Sequence, residues 1–168
     1  VCSSDLMAVD MYLQIEGIPG ESTDDAHADW IQVLSYSHGV EQPASDTSGT
    51  GGLTGGRADF ENLTIEKVLD VATPDLNIYC AKGTHIPTVI LELCLATGDK
   101  HTFMKYELTD CIIKSVQPGG SSSDDIKPTE SLGIAYGKIK WEYTPIDNTG
   151  APGSPTDRTW DLEKNVQE

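Results

Sequence analysis

Val9-Asp-Met-Tyr-Leu-Gln-Ile-Glu16 alternates, with Val9, Met11, Leu13 and Ile15 on one face and Asp10, Tyr12, Gln14 and Glu16 on the other. A two-residue period of this kind marks a half-buried strand. Gly17 to Gly20, with Pro19, ends it. The pattern returns at Ile31 to Gly39, where bulky Leu34, Tyr36 and His38 alternate with small Ser35, Ser37 and Gly39, so the bulky face is expected to pack inward. Phe60 to Val68 is a further apolar run in which Leu63 and Ile65 share a face and Phe60 takes the other, which predicts a bend or bulge. Thr88 to Ala96, with Val89, Leu91, Leu93 and Leu95 in alternation, then Thr102 to Val116 and Glu130 to Thr144, complete the strands. In the last, Leu132, Ile134 and Tyr136 share one parity while Ile139, Trp141 and Tyr143 share the other, which makes Gly137 the expected bend.

Between these strands lies one helix. Thr73-Pro74-Asp75 supplies a Thr N-cap, a proline at the first helical position and an acid in the first turn, and Lys82-Gly83 supplies the stop. Leu76, Tyr79 and Cys80 form its apolar stripe, which is expected to lie on a sheet. Asp46 to Arg57, Pro118 to Pro128 and Asp147 to Thr156 read as polar loops, and Trp160 and Leu162 as a docked C-terminal segment. Turn-bounded hydrophobic runs with a single helix predict antiparallel β-structure.

At 168 residues and 38% hydrophobic content, the chain is long enough for one domain and short for two. Asp+Glu number 27 against 11 Lys+Arg, a formal charge of −16, which argues against nucleic acid and anionic membranes as partners. No apolar run is long enough for a membrane helix, and a basic, then apolar, signal peptide is absent from the N-terminus, so a soluble chain without a cleaved signal is expected. Val1 to Leu6 reads as a non-native leader, with the native single domain running from Met7 to Glu168. Cys2, Cys80, Cys94 and Cys111 follow no CxxC or Cys/His spacing, and the last three are expected to be small buried hydrophobes.

No segment specifies catalysis. Asp24-Asp25-Ala-His27-Ala-Asp29 has hard and borderline ligands on a short loop, but it lacks the glycine and bidentate Glu of an EF-hand. It reads better as a turn whose acids cap backbone groups while His27 packs or hydrogen-bonds. Gly51-Gly-Leu-Thr-Gly-Gly56-Arg57-Ala58 approaches a P-loop but has Arg in place of the phosphate lysine and Ala in place of the magnesium-binding hydroxyl. His27, His38, His85 and His101 have no nucleophile elbow to serve, and His85, just before Pro87, suits a hydrogen-bonded connector. Trp30, Trp141 and Trp160 suit core or interface positions better than a sugar platform. No catalytic residue, metal site or cofactor is expected.

Several of these blocks together resemble the Hcp family, the haemolysin-coregulated tube proteins of bacterial type VI secretion. Met7-Ala-Val-Asp-Met-Tyr-Leu-Gln-Ile-Glu-Gly-Ile-Pro-Gly-Glu-Ser22 resembles the family's opening strand and turn, and His27-Ala-Asp-Trp-Ile-Gln-Val-Leu-Ser-Tyr-Ser37 its His-led second strand. Ala72-Thr73-Pro74-Asp75-Leu76 through Gly83-Thr-His85-Ile-Pro87 is similar to its capped helix and connector, and Trp160-Asp-Leu-Glu-Lys-Asn165 to its ending. The resemblance implies a mainly β fold, a β-barrel of two packed antiparallel sheets with one short flanking α-helix. It also implies six-membered rings stacked into a tube that is exported with a spike, inside a sheath, carrying effectors. Such a protein resides in the bacterial cytoplasm before firing and is then released outside or into a target cell. The second strand lines the channel in that reading, so Ser35 and Ser37, opposite the bulky face, are expected to meet cargo. The loop with Asp46, Gly51, Gly52, Leu53, Gly56 and Arg57 is the candidate assembly loop. His38 stands where the family often has an aromatic. The rival reading from another class is a small-ligand or carbohydrate-binding β-barrel module.

Overall fold

The alternating segments pair into one antiparallel ladder that turns on itself. The computed structural model describes residues 8–45, 54–96, 99–123 and 127–168. Strand β1 (Val9–Ile15) lies between β2 (Ile31–Val33) and β9 (Ile86–Leu95), and the ladder continues through β10 (Thr102–Gly119), β11 (Thr129–Tyr143), β12 (Thr156–Asp161) and β13 (Val166–Gln167). From the other half of β11 it runs to β8 (Leu63–Val68) and β3 (Ser35–Ser37). Two small hairpins, β4 (Val40–Glu41) with β7 (Asp59–Phe60) and β5 (Ala44–Ser45) with β6 (Thr54–Gly55), stand off this path.

The turn in the ladder is made by the β10–β11 hairpin. Leu108 and Ile139 bury one parity, whereas Cys111, Ile113, Ile134 and Tyr136 bury the other. The change falls between the pairs Thr109–Lys138 and Cys111–Tyr136, where Asp110 adopts φ 53° beside Gly137. Both strands switch face at one level, so the sheet folds over without losing register, and the bend expected at Gly137 is present. A register shift, the true bulge, comes further on, between Ile113 and Ser115. The β8 and β12 pairings use different halves of β11, residues 129–134 and 138–143. The result is two packed sheets sharing one hairpin.

Between them lies a core of Leu13, Ile15, Ile31, Leu63, Ile65, Leu91, Leu108, Leu132, Ile134 and Ile139, all buried. Apolar burial at roughly 25 cal/mol per Å² drives this packing. Helix α1 (Thr73–Lys82) lies against β10 and buries Leu76, with Tyr79 and Cys80 half-buried beside it, so Cys80 is less enclosed than expected. Gly83 ends the helix at φ 63°, a left-handed turn that glycine adopts without a Cβ clash, and its N–H caps the Cys80 carbonyl.

Several expectations are corrected. The ladder is not closed into a barrel, because among the described residues β2 pairs only with β1 and β3 only with β8. Ile31 to Gly39 is not one strand: the chain leaves the β1 sheet at Val33 and joins β8 at Ser35. At that crossing the Leu34 N–H bonds the Glu66 carbonyl (2.8 Å) and its side chain is 55% exposed, so Leu34 does not join the packed face of half-buried Tyr36 and His38. Thr73 is the first helical residue rather than the cap; the Asp70 carboxylate instead accepts the Ala72 N–H (2.9 Å). Pro118 belongs to β10, paired with Glu130, so the connector starts after Gly119. The leader Val1 to Leu6 lies outside the described residues.

Candidate functional site

Serines 35 and 37 sit on β3, opposite Glu66 and Thr64 of β8, and both are exposed. The Ser35 hydroxyl donates to the Glu66 carboxylate at 3.3 Å; Ser37 faces solvent. Behind them Tyr36 and Tyr106 share a hydroxyl contact of 3.3 Å, and the His38 ring reaches the Tyr136 hydroxyl at 2.5 Å. Tyr136 donates its only O–H to the Glu61 carbonyl (2.8 Å), so His38 Nε2 carries the hydrogen in that contact. Burial holds His38 below the ordinary histidine pKa, which favours the same neutral form. The alternation of small and bulky side chains thus separates a hydroxyl-bearing surface from an aromatic support, as the sequence implies at positions 35 to 38.

Of the candidate assembly loop, Asp46, Gly51, Gly52 and Leu53 lie outside the described residues. Gly56 and Arg57 return the chain to the body: the Gly56 N–H bonds the Pro43 carbonyl (3.0 Å), and Arg57 Nη2 donates to the Leu162 carbonyl (3.0 Å). Arg57 also borders a cavity of about 360 Å³ with His85, Asp110, Gly137, Leu162 and Glu163. There His85 Nδ1 lies 2.9 Å from Asp110 Oδ1, the hydrogen-bonded connector expected from its position before Pro87.

A second polar group is assembled around His27, on the side of β1 and β9 away from the main core. The segment Ser22 to Trp30 folds across these strands, held by Gly20 N–H to Asp29 O (2.7 Å) and Ser22 N–H to Trp30 O (2.9 Å). A Cβ at Gly20 would run into the Trp30 carbonyl, so this close approach requires glycine. The 3₁₀ turn Asp25–His27 then delivers the His27 ring onto Tyr12, stacked at 4.3 Å with a 6° interplanar angle, and edge-on to Trp30. His27 is 2% exposed. Its Nδ1 lies 2.8 Å from Asp24 Oδ2 and its Nε2 2.6 Å from Glu92 Oε2. Cys94 Sγ is 3.8 Å from Nε2, and Thr102 donates to Glu92 Oε2 at 3.1 Å.

Lys100 closes the group, donating to Asp24 Oδ1 (2.7 Å) and the Tyr12 hydroxyl (3.3 Å). The hydrogen bonds from Lys100 and then His27 pull the Asp24 pKa from 3.8 to about 2, and the bond to Asp24 raises that of Lys100. Burial, and then neighbouring Glu92 and Asp24, push the Cys94 thiol up, so it is protonated at neutral pH. The reading of Asp24 to Asp29 as a capped turn with a hydrogen-bonded His27 fits this geometry, since Asp25 and Asp29 take no part. Sequence reasoning missed Tyr12, Glu92, Cys94 and Lys100. Two signals pointed there: a bulky aromatic on the polar face of the first strand, and a cysteine sharing parity with Glu92 opposite Leu91 and Leu93. His27 Nε2, Cys94 Sγ and a Glu92 oxygen lie within 4.8 Å of one another, the one such donor group among the described residues.

The fold is a mainly β domain: two packed antiparallel sheets, one helix, and a strand presenting small hydroxyl side chains. A family model described as "Type VI secretion system effector, Hcp" matches residues 12–143. Protein hcp1 of Pseudomonas aeruginosa is 34% identical over 163 residues, covering 96% of this chain and 99% of the relative. Among solved structures, a type six secretion system protein superposes with a TM-score of 0.92 at 34% identity, covering 96% of this chain and 100% of that one. Hcp1 from Salmonella typhimurium gives 0.80 at 33% identity, with the same coverage of both chains. The chain belongs to the Hcp family of type VI secretion proteins. It is a secreted structural protein and not an enzyme. Among the described residues no helix is long and apolar enough to cross a membrane.

Proposed function

We propose that this chain forms six-membered rings that stack into the inner tube of a type VI secretion system. The rings wait in the bacterial cytoplasm inside a sheath and are then expelled with a spike, carrying effectors in the channel. The observation that carries this reading is the match to the P. aeruginosa relative along nearly the full length of both chains. Physical features of the subunit support it. Strand β3 pairs on one side only among the described residues, and exposed Leu34 and Val40 flank its serines. Unpaired edges with apolar neighbours invite association, and a repeated head-to-tail contact around an axis covers one edge per copy. A charge of −16 per subunit opposes crowding, but screening over about 8 Å at physiological salt limits the repulsion to close neighbours.

In this arrangement Ser35 and Ser37 face the channel and touch cargo without supporting the fold. The loop with Asp46, Gly51, Gly52, Leu53, Gly56 and Arg57 meets a neighbouring copy. Negative-stain electron microscopy of the purified chain tests the reading: six-fold rings with an open centre are expected. Particles of single subunits, or rings with another symmetry, would overturn it.

A further inference from the structure

The His27 group contains a pairing that a structural turn does not require. Nδ1 faces Asp24 Oδ2, an acceptor, so Nδ1 carries a hydrogen. Nε2 also faces an acceptor, Glu92 Oε2, at 2.6 Å. Two lone-pair atoms come this close only with a cation between them, either a proton or a metal ion. Cys94 adds a sulfur beside the same gap, on a strand register that puts it two residues from Glu92.

We propose that His27 Nε2, Glu92 and Cys94 Sγ bind a zinc ion on the outer side of the β1–β9 ladder. Zinc takes nitrogen at about 2.0 Å and sulfur at about 2.3 Å, so a tetrahedral site spans about 3.5 Å between them. The observed 3.8 Å between Nε2 and Sγ is close to that span. Nitrogen and carboxylate oxygen need about 3.3 Å, so Glu92 withdraws by about 0.7 Å from its 2.6 Å contact. Its side chain is 17% exposed, and the shift gives up the hydrogen bond from Thr102 (3.1 Å). Binding displaces the Cys94 S–H proton and the proton between Nε2 and Glu92 to solvent, and the resulting set of imidazole, thiolate and carboxylate selects zinc over magnesium or calcium. Water takes the fourth position through the opening at the Glu92 and Asp24 carboxylates.

The surroundings suit such an ion. Asp24 on Nδ1 fixes the ring and its tautomer, the usual partner of a metal-bound histidine, and Lys100 holds Asp24 in place. Lys100 is shared by two carboxylates, Asp10 and Asp24, while Glu92 faces His27 with no lysine or arginine bonded to it among the described residues, leaving negative charge for the ion to neutralise.

The test titrates the full-length chain with zinc by calorimetry and with cobalt by absorption, on the native sequence and on C94S, E92Q, D24N and C80S, each checked for fold by circular dichroism. One ion per chain and a thiolate-to-cobalt charge-transfer band are expected. C94S abolishes the band. E92Q keeps the band and weakens zinc, D24N keeps it and weakens zinc by about 10–100-fold, and C80S changes neither. E92Q alters a partly exposed side chain and carries the test if C94S fails to fold. Absence of zinc binding by the folded native chain would overturn the proposal and leave a proton between Nε2 and Glu92. A band that survives C94S, or zinc affinity unchanged in E92Q, would overturn it equally.

Discussion

Two groups of charged side chains are withdrawn from water in this subunit, and they differ in how far water can still reach them. At the start of α1, Lys67 and Glu130 are both fully enclosed, paired across β8 and β11, with Lys67 also donating to Asp70 Oδ1 (2.8 Å) and the Val68 carbonyl (2.9 Å). Thr73 adds its hydroxyl to the same Glu130 oxygen (2.8 Å). Around His27, by contrast, the carboxylates of Asp24 and Glu92 keep an opening to solvent. Both groups pin a connecting segment to a sheet. Only the second has room to exchange its proton for something else, because stranding a charge in the first leaves nothing to hydrate it.

Breaking the dry pair should produce the largest effect. Glu130→Ala leaves Lys67 buried without its main counter-charge and is expected to destabilise the subunit by about 3–5 kcal/mol in urea unfolding. The double replacement Lys67→Met with Glu130→Leu should recover most of that loss, since a buried pair contributes little over apolar side chains of similar volume. A double variant as unstable as Glu130→Ala would show that the hydrogen bonds to Asp70 and Thr73 hold the helix start instead.

The wetter group should respond less. His27→Ala removes a stacked ring and two charge-assisted hydrogen bonds, yet water can reach the freed carboxylates, so a loss of about 1–3 kcal/mol is expected in the same assay. A loss equal to that of Glu130→Ala would erase the distinction between the two regions.

Acid sharpens the comparison further. Unfolded Asp24 titrates near 3.8 and folded Asp24 near 2, so the folded state binds fewer protons between those values. Its contribution to stability is complete above that window and is lost as pH falls through about 2. Asp24→Asn should therefore flatten the acid limb of a stability-against-pH curve relative to the native chain. An unchanged slope would show that the Lys100 and His27 contacts do not hold the carboxylate charged.

The smallest effect on stability is expected at the candidate channel surface. Ser37→Gln adds a polar side chain to an exposed position and should shift stability by no more than about 0.5 kcal/mol, with the native oligomer kept. Effector co-purification should fall, because the longer side chain would intrude on the proposed cargo surface. Unfolding by Ser37→Gln would reverse the assignment of faces on β3.

Much of the fold was legible because strand periodicity is local. The alternation at Val9 to Glu16 and Thr88 to Ala96, the parity change at Gly137, and the Gly83 stop were all readable from neighbours along the chain. The switch of β-sheet at Leu34 was not. Its alternation continues through Tyr36 and His38, and the change is one of pairing partner, from β1 to β8, which side-chain order does not encode. The helix start escapes local reading for a similar reason: Thr73 has a capping side chain, but Ala72 holds the cap position and Glu130, 57 residues away, accepts the Thr73 hydroxyl. His27 was recognised as a hydrogen-bonding residue of its turn, whereas Glu92, 65 residues on, is brought to it only when Ser22 to Trp30 folds over β1 and β9. The exposed serines of β3 were legible because small residues between bulky ones declare a face without any tertiary information.

In the proposed function, a β-rich chain whose β3 is paired on one side only among the described residues closes into a ring of six. Native mass spectrometry of the purified full-length chain at micromolar concentration, transferred from buffer of physiological ionic strength, tests it most directly. The predicted result is a dominant species of six chains; a monodisperse monomer under the same conditions would contradict it.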